Sequence, residues 1–225
     1  MSITPAPPET TTVHVSGRRP TAAQLAVELR DLAAAVPLFL VSPLVRHWHR
    51  RWGATDAEVV AIMPGDELVP GCRYRCTRAI TIQAPPATVW AWLVQVGFGK
   101  AGFYAIDLLD NVAHPSAERI LEEHQHPRIG DWVPMFTSVN ETTAFRIAQI
   151  EPPSTLVWLK PDSTCAWTLT ERDGATRLVT RLRILYRWKR PLGAIASLAL
   201  NELGDFPMMR RMLLNLKRRA EGAAR

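Results

Sequence analysis

The stretch ATRLVTRLRILYRW (175–188) decides how the rest of the chain is read. Its residues alternate. Leu178, Thr180, Leu182, Ile184, Tyr186 and Trp188 fall on one face, and Arg177, Arg181, Arg183 and Arg187 on the other. Period two over this length is a strand with one face on a core, and the arginine-bearing face is expected to meet solvent. The segment that follows, PLGAIASLALNELGDFPMMRRMLLNLKRRAE (191–221), switches to helical spacing of Leu, Ile and Met. It starts at Pro191 and gathers basic residues in its last turns, where they suit the helix dipole. Gly204 and Pro207 predict a bend, with Asp205 capping the second half.

Working back from that strand, turn residues separate shorter ones: DWVPMF (131–136), TTAFRIAQIE (142–151), STLVWLK (154–160) and CAWTLTE (165–171). A first strand begins at Arg73, with Tyr74, Cys76, Ile80 and Ile82 on its apolar face and Arg73, Arg75, Thr77 and Thr81 on the other. Two short helices are predicted after it. APPATVWAWLVQVG (84–97) has a Pro-Pro start suited to a helix N-terminus, and GKAGFYAIDLLDNV (99–112) follows. Upstream, TAAQLAVELRDLAAAV (21–36) places Leu25, Leu29, Leu32 and Val36 on one helical face and should end at Pro37. The linker GATDAEVVAIMPGDELVPG (53–71) is rich in turn formers. The expected organisation is a disordered tail (1–20), an amphipathic helical extension (21–52) and one α+β domain (53–225).

A chain of 225 residues, 47% hydrophobic and 21% charged, can bury a large core and is far from the composition of disorder. Three cysteines with no CxxC pair suggest neither a disulfide framework nor a zinc knuckle, and point to a reducing, cytoplasmic compartment. No secretory signal is recognisable at the start, and the apolar run Leu32 to Val45 is interrupted and short of the ~20 residues that span a bilayer. The net charge of +6 comes from scattered arginine clusters, which read as solvated faces; nucleic acid is not expected as a partner.

The segments ITIQAPPATVWAWLVQVG (80–97), WGATDAE (52–58), MPGDELVPG (63–71), GKAGFYAIDLLDN (99–111), GDWVPM (130–135) and NELGDFPMMRRMLLNLKRRAE (201–221) resemble a bacterial branch of the START/polyketide-cyclase superfamily, SRPBCC. The resemblance covers roughly residues 52 to 221. It implies a helix-grip fold, in which a curved antiparallel sheet of six to seven strands wraps around the long C-terminal helix and leaves a mostly apolar cavity. It further implies ligands such as sterols, lipids, polyketides or aromatic intermediates, and no metal. One fold hosts carriers and enzymes alike, so site residues must come from local chemistry.

Among eight tryptophans, Trp90, Trp92, Trp158, Trp167 and Trp188 lie on proposed core elements; Trp90, Trp158 and Trp167 are candidate cavity walls, though plain packing explains a buried Trp equally well. If 99–112 is helical, Tyr104, Asp107 and Asn111 share one face, and Asp107 next to apolar surface is a candidate acid or base. Asn140, Glu141, Lys160 and Asp162 form a second polar set at strand ends. Asp205, Met208 and Met209 form a third at the expected bend, where flexible methionines suit an adaptable pocket. Tyr104, Asp107 and Glu141 are thus the catalytic candidates. His47-x-His49 and His124-x-His126 lack completing ligands, so no metal and no cofactor are expected, and no phosphate loop, GxGxxG, GxSxG or HExxH occurs. The expected function is binding of a small hydrophobic molecule. The alternatives are a cyclase or dehydratase working through those acid/base residues, and a membrane-surface protein using residues 21–52 as a basic amphipathic anchor. No oligomeric state is implied.

Overall fold

The computed structural model describes residues 11–13, 20–41, 44–186 and 204–224. Expectations for Arg187, Trp188 and the helical start at 191–203 lie outside them. In chain order the elements are β1 (Thr11–Thr12), α1 (Ala22–Val41), α2 (Arg46–His49), α3 (Asp56–Val60), β2 (Tyr74–Ile82), α4 (Pro86–Val94), α5 (Asp107–Asp110), β3 (Trp132–Pro134), β4 (Ser138–Val139), β5 (Ala144–Glu151), β6 (Thr155–Lys160), β7 (Ser163–Arg172), β8 (Ala175–Ile184) and α6 (Asp205–Ala223).

Six strands form one antiparallel sheet in the order β2-β8-β7-β6-β5-β3. Strands β5 to β8 are a meander, and β2 returns from far upstream to pair with the last strand over its whole length. A bulge between Ile147 and Gln149 interrupts the β5–β6 register and gives that side a local bend. Thr11–Thr12 pair with Ser138–Val139 as a separate two-stranded ribbon.

Pairing registers set the two faces of the sheet. Tyr74, Cys76, Arg78, Ile80 and Ile82 lie abreast of Ile184, Leu182, Thr180, Leu178 and Thr176 on the inner face. Helix α6 buries Phe206, Leu213, Leu216 and Ala220 at helical spacing, and the last three join one apolar cluster with Trp158, Trp167 and Leu178 of the sheet. Pro207 sits in the first turn of α6, where no intrahelical bond needs its missing N–H. Helix α4, with Pro86 at its start, packs against α6 and completes the cluster with Val89, Trp90, Trp92 and Leu93.

The outer face corrects the sequence reading. The arginines of β8 do not stand in water: Arg181 is fully buried, and Arg177 and Arg183 are largely covered. Residues 53–71 fold over them, and the acids of that segment meet the guanidinium groups. Arg177 Nε donates to Glu58 Oε1 at 2.8 Å, Arg181 Nη1 to Asp66 Oδ2 at 2.7 Å and Arg183 Nη1 to Asp66 Oδ1 at 3.2 Å. Arg181 also donates to the carbonyls of Glu58, Val59 and Ala61. The alternation was read correctly, but a charged face can be covered when the covering segment brings its own carboxylates and carbonyls. The residues just before this segment guard the free edge of β2, where Thr77 N donates to Arg50 O and Ala79 N to Trp52 O. Gly53 makes this crossing possible: its φ is +71°, and a Cβ there would lie 2.1 Å from Ala79 O.

Helix α1 runs through Pro37 to Val41 rather than stopping there. Of its predicted apolar face, Leu25 and Leu32 turn inward while Leu29 and Val36 are exposed. Polar contacts tie it to the body: Arg211 pairs with Asp31, and Leu108 N donates to Glu28 Oε2 at 3.3 Å.

Candidate functional site

The inner face carries an aromatic wall. Phe145, Trp158 and Trp167 stand ring to ring, with centroids 6.1 and 5.5 Å apart, the latter pair edge-on. Trp167 lies abreast of Leu156 and Thr180, and Trp158 abreast of Ile147 and Cys165. Opposite them, Met208 and Met209 of α6 pack half-buried against the same cluster. A sheet that presents its concave aromatic face to one long C-terminal helix is decisive for architecture. The chain has the helix-grip fold.

Within the grip the polar groups are few. The indole N–H groups of Trp92, Trp158 and Trp167 are buried and have no acceptor among the described residues. Buried N–H groups are nearly always paired, so three unpaired indoles on one apolar cluster call for an explanation.

At one end of the wall Arg78 is fully buried on β2, and its Nη2 atom lies 2.7 Å from Asp205 Oδ2 at the start of α6. The two atoms are close, yet the N–H directions do not meet the oxygen in hydrogen-bonding geometry. Arg78 Nε donates to the carbonyl of His49 at 2.9 Å, and its guanidinium lies over Phe206, 5.3 Å from the ring centroid. Tyr74 Oη donates to Asp205 Oδ2 at 3.4 Å. Despite its burial, the Asp205 carboxylate holds Arg78 firmly protonated. Burial, reinforced by Arg78, pushes His49 down to about 4, so the imidazole is neutral. Burial also pushes the Cys76 and Cys165 thiols up to about 11 and about 12. Trp48, His49 and Trp52 surround Phe206 and close this end. Asp205 was singled out from the sequence; Arg78 was not, although an arginine in phase with Tyr74 and Cys76 is a visible break in an apolar face.

The structure separates the other candidates. Tyr104 has φ +57° and precedes α5, so Tyr104, Asp107 and Asn111 do not share a helical face. Only Asp107–Asp110 is helical, because the left-handed residues at 102 and 104 turn the chain first. Tyr104 Oη accepts from Gln95 Nε2 at 2.7 Å and donates to Trp92 O at 3.2 Å, and burial raises its pKa. Asp107 accepts from both the amide and the hydroxyl of Ser116, at 2.7 and 2.5 Å, while burial still raises its pKa. Asn111 donates to His114 O at 2.7 Å. Burial, with Asp107 and Glu28 nearby, pushes Asp110 up to about 8. Trp90 packs in α4 within the main cluster.

Glu141 stands elsewhere, in a cleft of about 280 Å³ on the flank of the sheet with Trp132, Arg146, Leu159 and Lys160. Arg146 stacks on Trp132 at 3.8 Å, and Lys160 lies over Phe145 at 4.8 Å with its pKa lowered by burial. Asn140 closes the adjoining turn by accepting from Thr142 N at 2.9 Å, and Asp162 accepts from Ser163 Oγ at 3.3 Å. Among the described residues no grouping of His, Cys, Asp or Glu could hold a metal ion, and no helix is long and apolar enough to cross a membrane.

No family model and no curated protein matches the chain. Several solved structures do. The Polyketide_cyc-like protein Cgl2372 from Corynebacterium glutamicum is 14% identical, covering 64% of this chain and 89% of its own, with a TM-score of 0.40. Protein Ms6760 from Mycobacterium smegmatis is 14% identical over 67% and 90%, with the same TM-score. DynU16, a putative protein of the dynemicin biosynthetic locus, is 15% identical over 67% and 48%, with a TM-score of 0.38. The helix-grip assignment rests on the chain's own strand order and on α6 seated across the inner face.

Proposed function

We propose that this helix-grip chain binds a small, largely hydrophobic molecule bearing acceptor oxygens, of the lipid, polyketide or aromatic-metabolite kind, between the inner face of the sheet and α6. The observation that carries the reading is the pair of buried indoles Trp158 and Trp167, which have no acceptor among the described residues. Leaving such a donor unsatisfied costs about 1–3 kcal/mol, which a carbonyl or hydroxyl oxygen on a ligand recovers. The rings supply apolar contact, and the flexible Met208 and Met209 yield to admit it. Asp205 and Arg78 mark the polar end, where a headgroup or hydroxyl would be received.

A thermal-shift screen of fatty acids, sterols and aromatic polyketides tests this. A true ligand at a hundredfold its dissociation constant adds ~2.7 kcal/mol, which for a chain of this size raises Tm by roughly 5–10 °C. A screen in which no compound moves Tm would count decisively against the proposal. A cyclase- or dehydratase-like reaction draws less support, because Tyr104 and Asp107 are committed to internal hydrogen bonds and Glu141 stands on a different flank.

A further inference from the structure

Helix α1 is apolar on two sides, and the body of the molecule uses one of them. Leu25, Glu28, Asp31, Leu32, Ala35 and Leu38 lie half-buried on the side that meets α5 and α6, where Glu28 and Asp31 make the polar contacts already described. Away from that contact, Ala22, Ala26, Leu29, Ala33, Val36 and Leu40 are all exposed, Leu29 at 57%, Val36 at 43% and Leu40 at 70%. Val27 and Val41 are exposed beside them. The one charge among the exposed residues of α1 is Arg30, and it is paired with Asp31 at 2.9 Å. A helix that is apolar all round is ordinarily buried all round. No residue of α1 is buried, so its outward side is short of a partner among the described residues.

The spacing of the exposed residues selects that partner. They recur at intervals of four, three, four, three and four, which is the seam of a two-stranded coil, about 27 Å long. Laid antiparallel on a second copy about a two-fold axis level with residue 31, Ala22 faces the partner's Leu40, Ala26 the partner's Val36 and Leu29 the partner's Ala33. Every layer then sets one alanine against one large residue, the arrangement in which facing side chains interdigitate without voids. The parallel alternative stacks alanine on alanine at 22, 26 and 33 and leucine on leucine at 29 and 40. A lipid surface is indifferent to this order, and a helix lying on one is rich in lysine and arginine on its polar face. α1 carries a single basic residue, Arg30.

We propose that α1 is a homodimerisation element, through which two copies of the chain pair antiparallel about a two-fold axis. The same patch serves both copies, as an isologous interface requires. One helix face is a small contact, so the dimer is expected to dissociate in the micromolar range rather than the nanomolar.

The test is sedimentation equilibrium of the full chain from low micromolar to hundreds of micromolar. The native chain is expected to pass from one chain mass to two and to stop there. Leu29→Glu with Val36→Glu should raise the dissociation constant about a hundredfold or more, because each substitution enters a two-fold interface twice. Ala33→Leu separates a fitted seam from general stickiness. It sets leucine against the partner's Leu29 and should weaken the dimer about tenfold by overpacking, whereas Ala33→Leu combined with Leu29→Ala restores one small residue against one large and should return the constant to near its native value. All these positions are exposed, so thermal melts of the variants should match the native chain; the native concentration series stands by itself if one does not fold. A chain that stays monomeric throughout, growth beyond the dimer, a double glutamate variant that dimerises like the native chain, or an Ala33→Leu variant that associates more tightly would overturn the proposal. So would a monomeric chain that binds vesicles of phosphatidylcholine and phosphatidylglycerol and loses that binding in the double glutamate variant, which would assign the face to a membrane.

Discussion

The two faces of one sheet treat their largest donors in different ways. On the outer face each guanidinium of β8 meets Glu58 or Asp66, and Arg181 also takes three carbonyls of the segment that covers it. On the inner face, indole N–H groups sit in an apolar cluster with no acceptor among the described residues. Outer-face charge is paired from within the chain and fastens residues 53–71 to the sheet, leaving only single groups such as Arg183 Nε and the Thr164 hydroxyl without an acceptor among the described residues. Inner-face polarity is left incomplete, which suits a surface meant to receive something from outside.

The strongest way to break this contrast is to unpair the outer face. Asp66→Ala leaves the fully buried Arg181 without its carboxylate, and stripping one partner from a buried pair costs about 3–5 kcal/mol. Tm should fall by roughly 10 °C, with ligand selectivity in the screen unchanged. A variant that melts like the native chain would mean the clamp contributes nothing. Gly53→Ala should cost less, about 2 kcal/mol, since a left-handed backbone is strained for alanine. Its Cβ would also press on Ala79 O and lift the segment off the β2 edge. Amide exchange at Thr77 and Ala79, which donate to Arg50 and Trp52, should accelerate with it.

Acid titration separates the faces by pH. His49, at the closed end of the inner face, is held to about 4 by burial and by Arg78, whereas its ordinary value is 6.5. Protons therefore favour the unfolded chain between those values, so its share of stability is complete above pH about 6.5 and lost as pH falls to about 4. Glu58, on the outer face, is held down to about 2 by its hydrogen bond from Arg177. Its share is complete above about 4.5 and lost only as pH falls towards 2. His49→Asn should flatten the upper part of a chemical-denaturation series against pH, and Glu58→Gln the lower part. Loss of both parts in either variant would show that the two faces do not titrate independently.

The inner face was readable from the sequence because its residues obey a simple period. Leu178, Thr180, Leu182 and Ile184 alternate, and Trp158 and Trp167 fall on core strands. The outer face was misread because alternation says which residues share a side and not what covers that side. The covering segment has no period of its own, being held by Gly53, by Thr55 capping α3 and by acids spaced to suit β8. Glu58 and Asp66 lie more than a hundred residues from Arg177, Arg181 and Arg183 in the chain, so nothing local in the sequence announces the pairing. Tyr104 and Asp107 were placed on one helix because nothing in their spacing reveals the left-handed residues at 102 and 104. Arg78 escaped notice because a buried ion pair depends on Asp205, more than a hundred residues away in the chain.

The smallest effect on stability is the most informative about the inner face. Trp167→Phe keeps an aromatic ring in the cluster and removes only a donor that has no acceptor among the described residues. Losing the smaller ring's worth of packing and shedding an unsatisfied N–H act in opposite directions, so Tm should move by no more than the few degrees that about 1 kcal/mol produces. Ligand binding should respond differently. If an oxygen of the bound molecule accepts from Trp167, affinity should drop roughly five- to thirtyfold, the worth of about 1–2 kcal/mol, while a ligand lacking that oxygen loses little. Thermal shift and a direct titration on the same variant read the two quantities separately. A large fall in Tm with unchanged affinity would show that Trp167 serves only the core, and the incompleteness of the inner face would then have to rest on Trp158 alone.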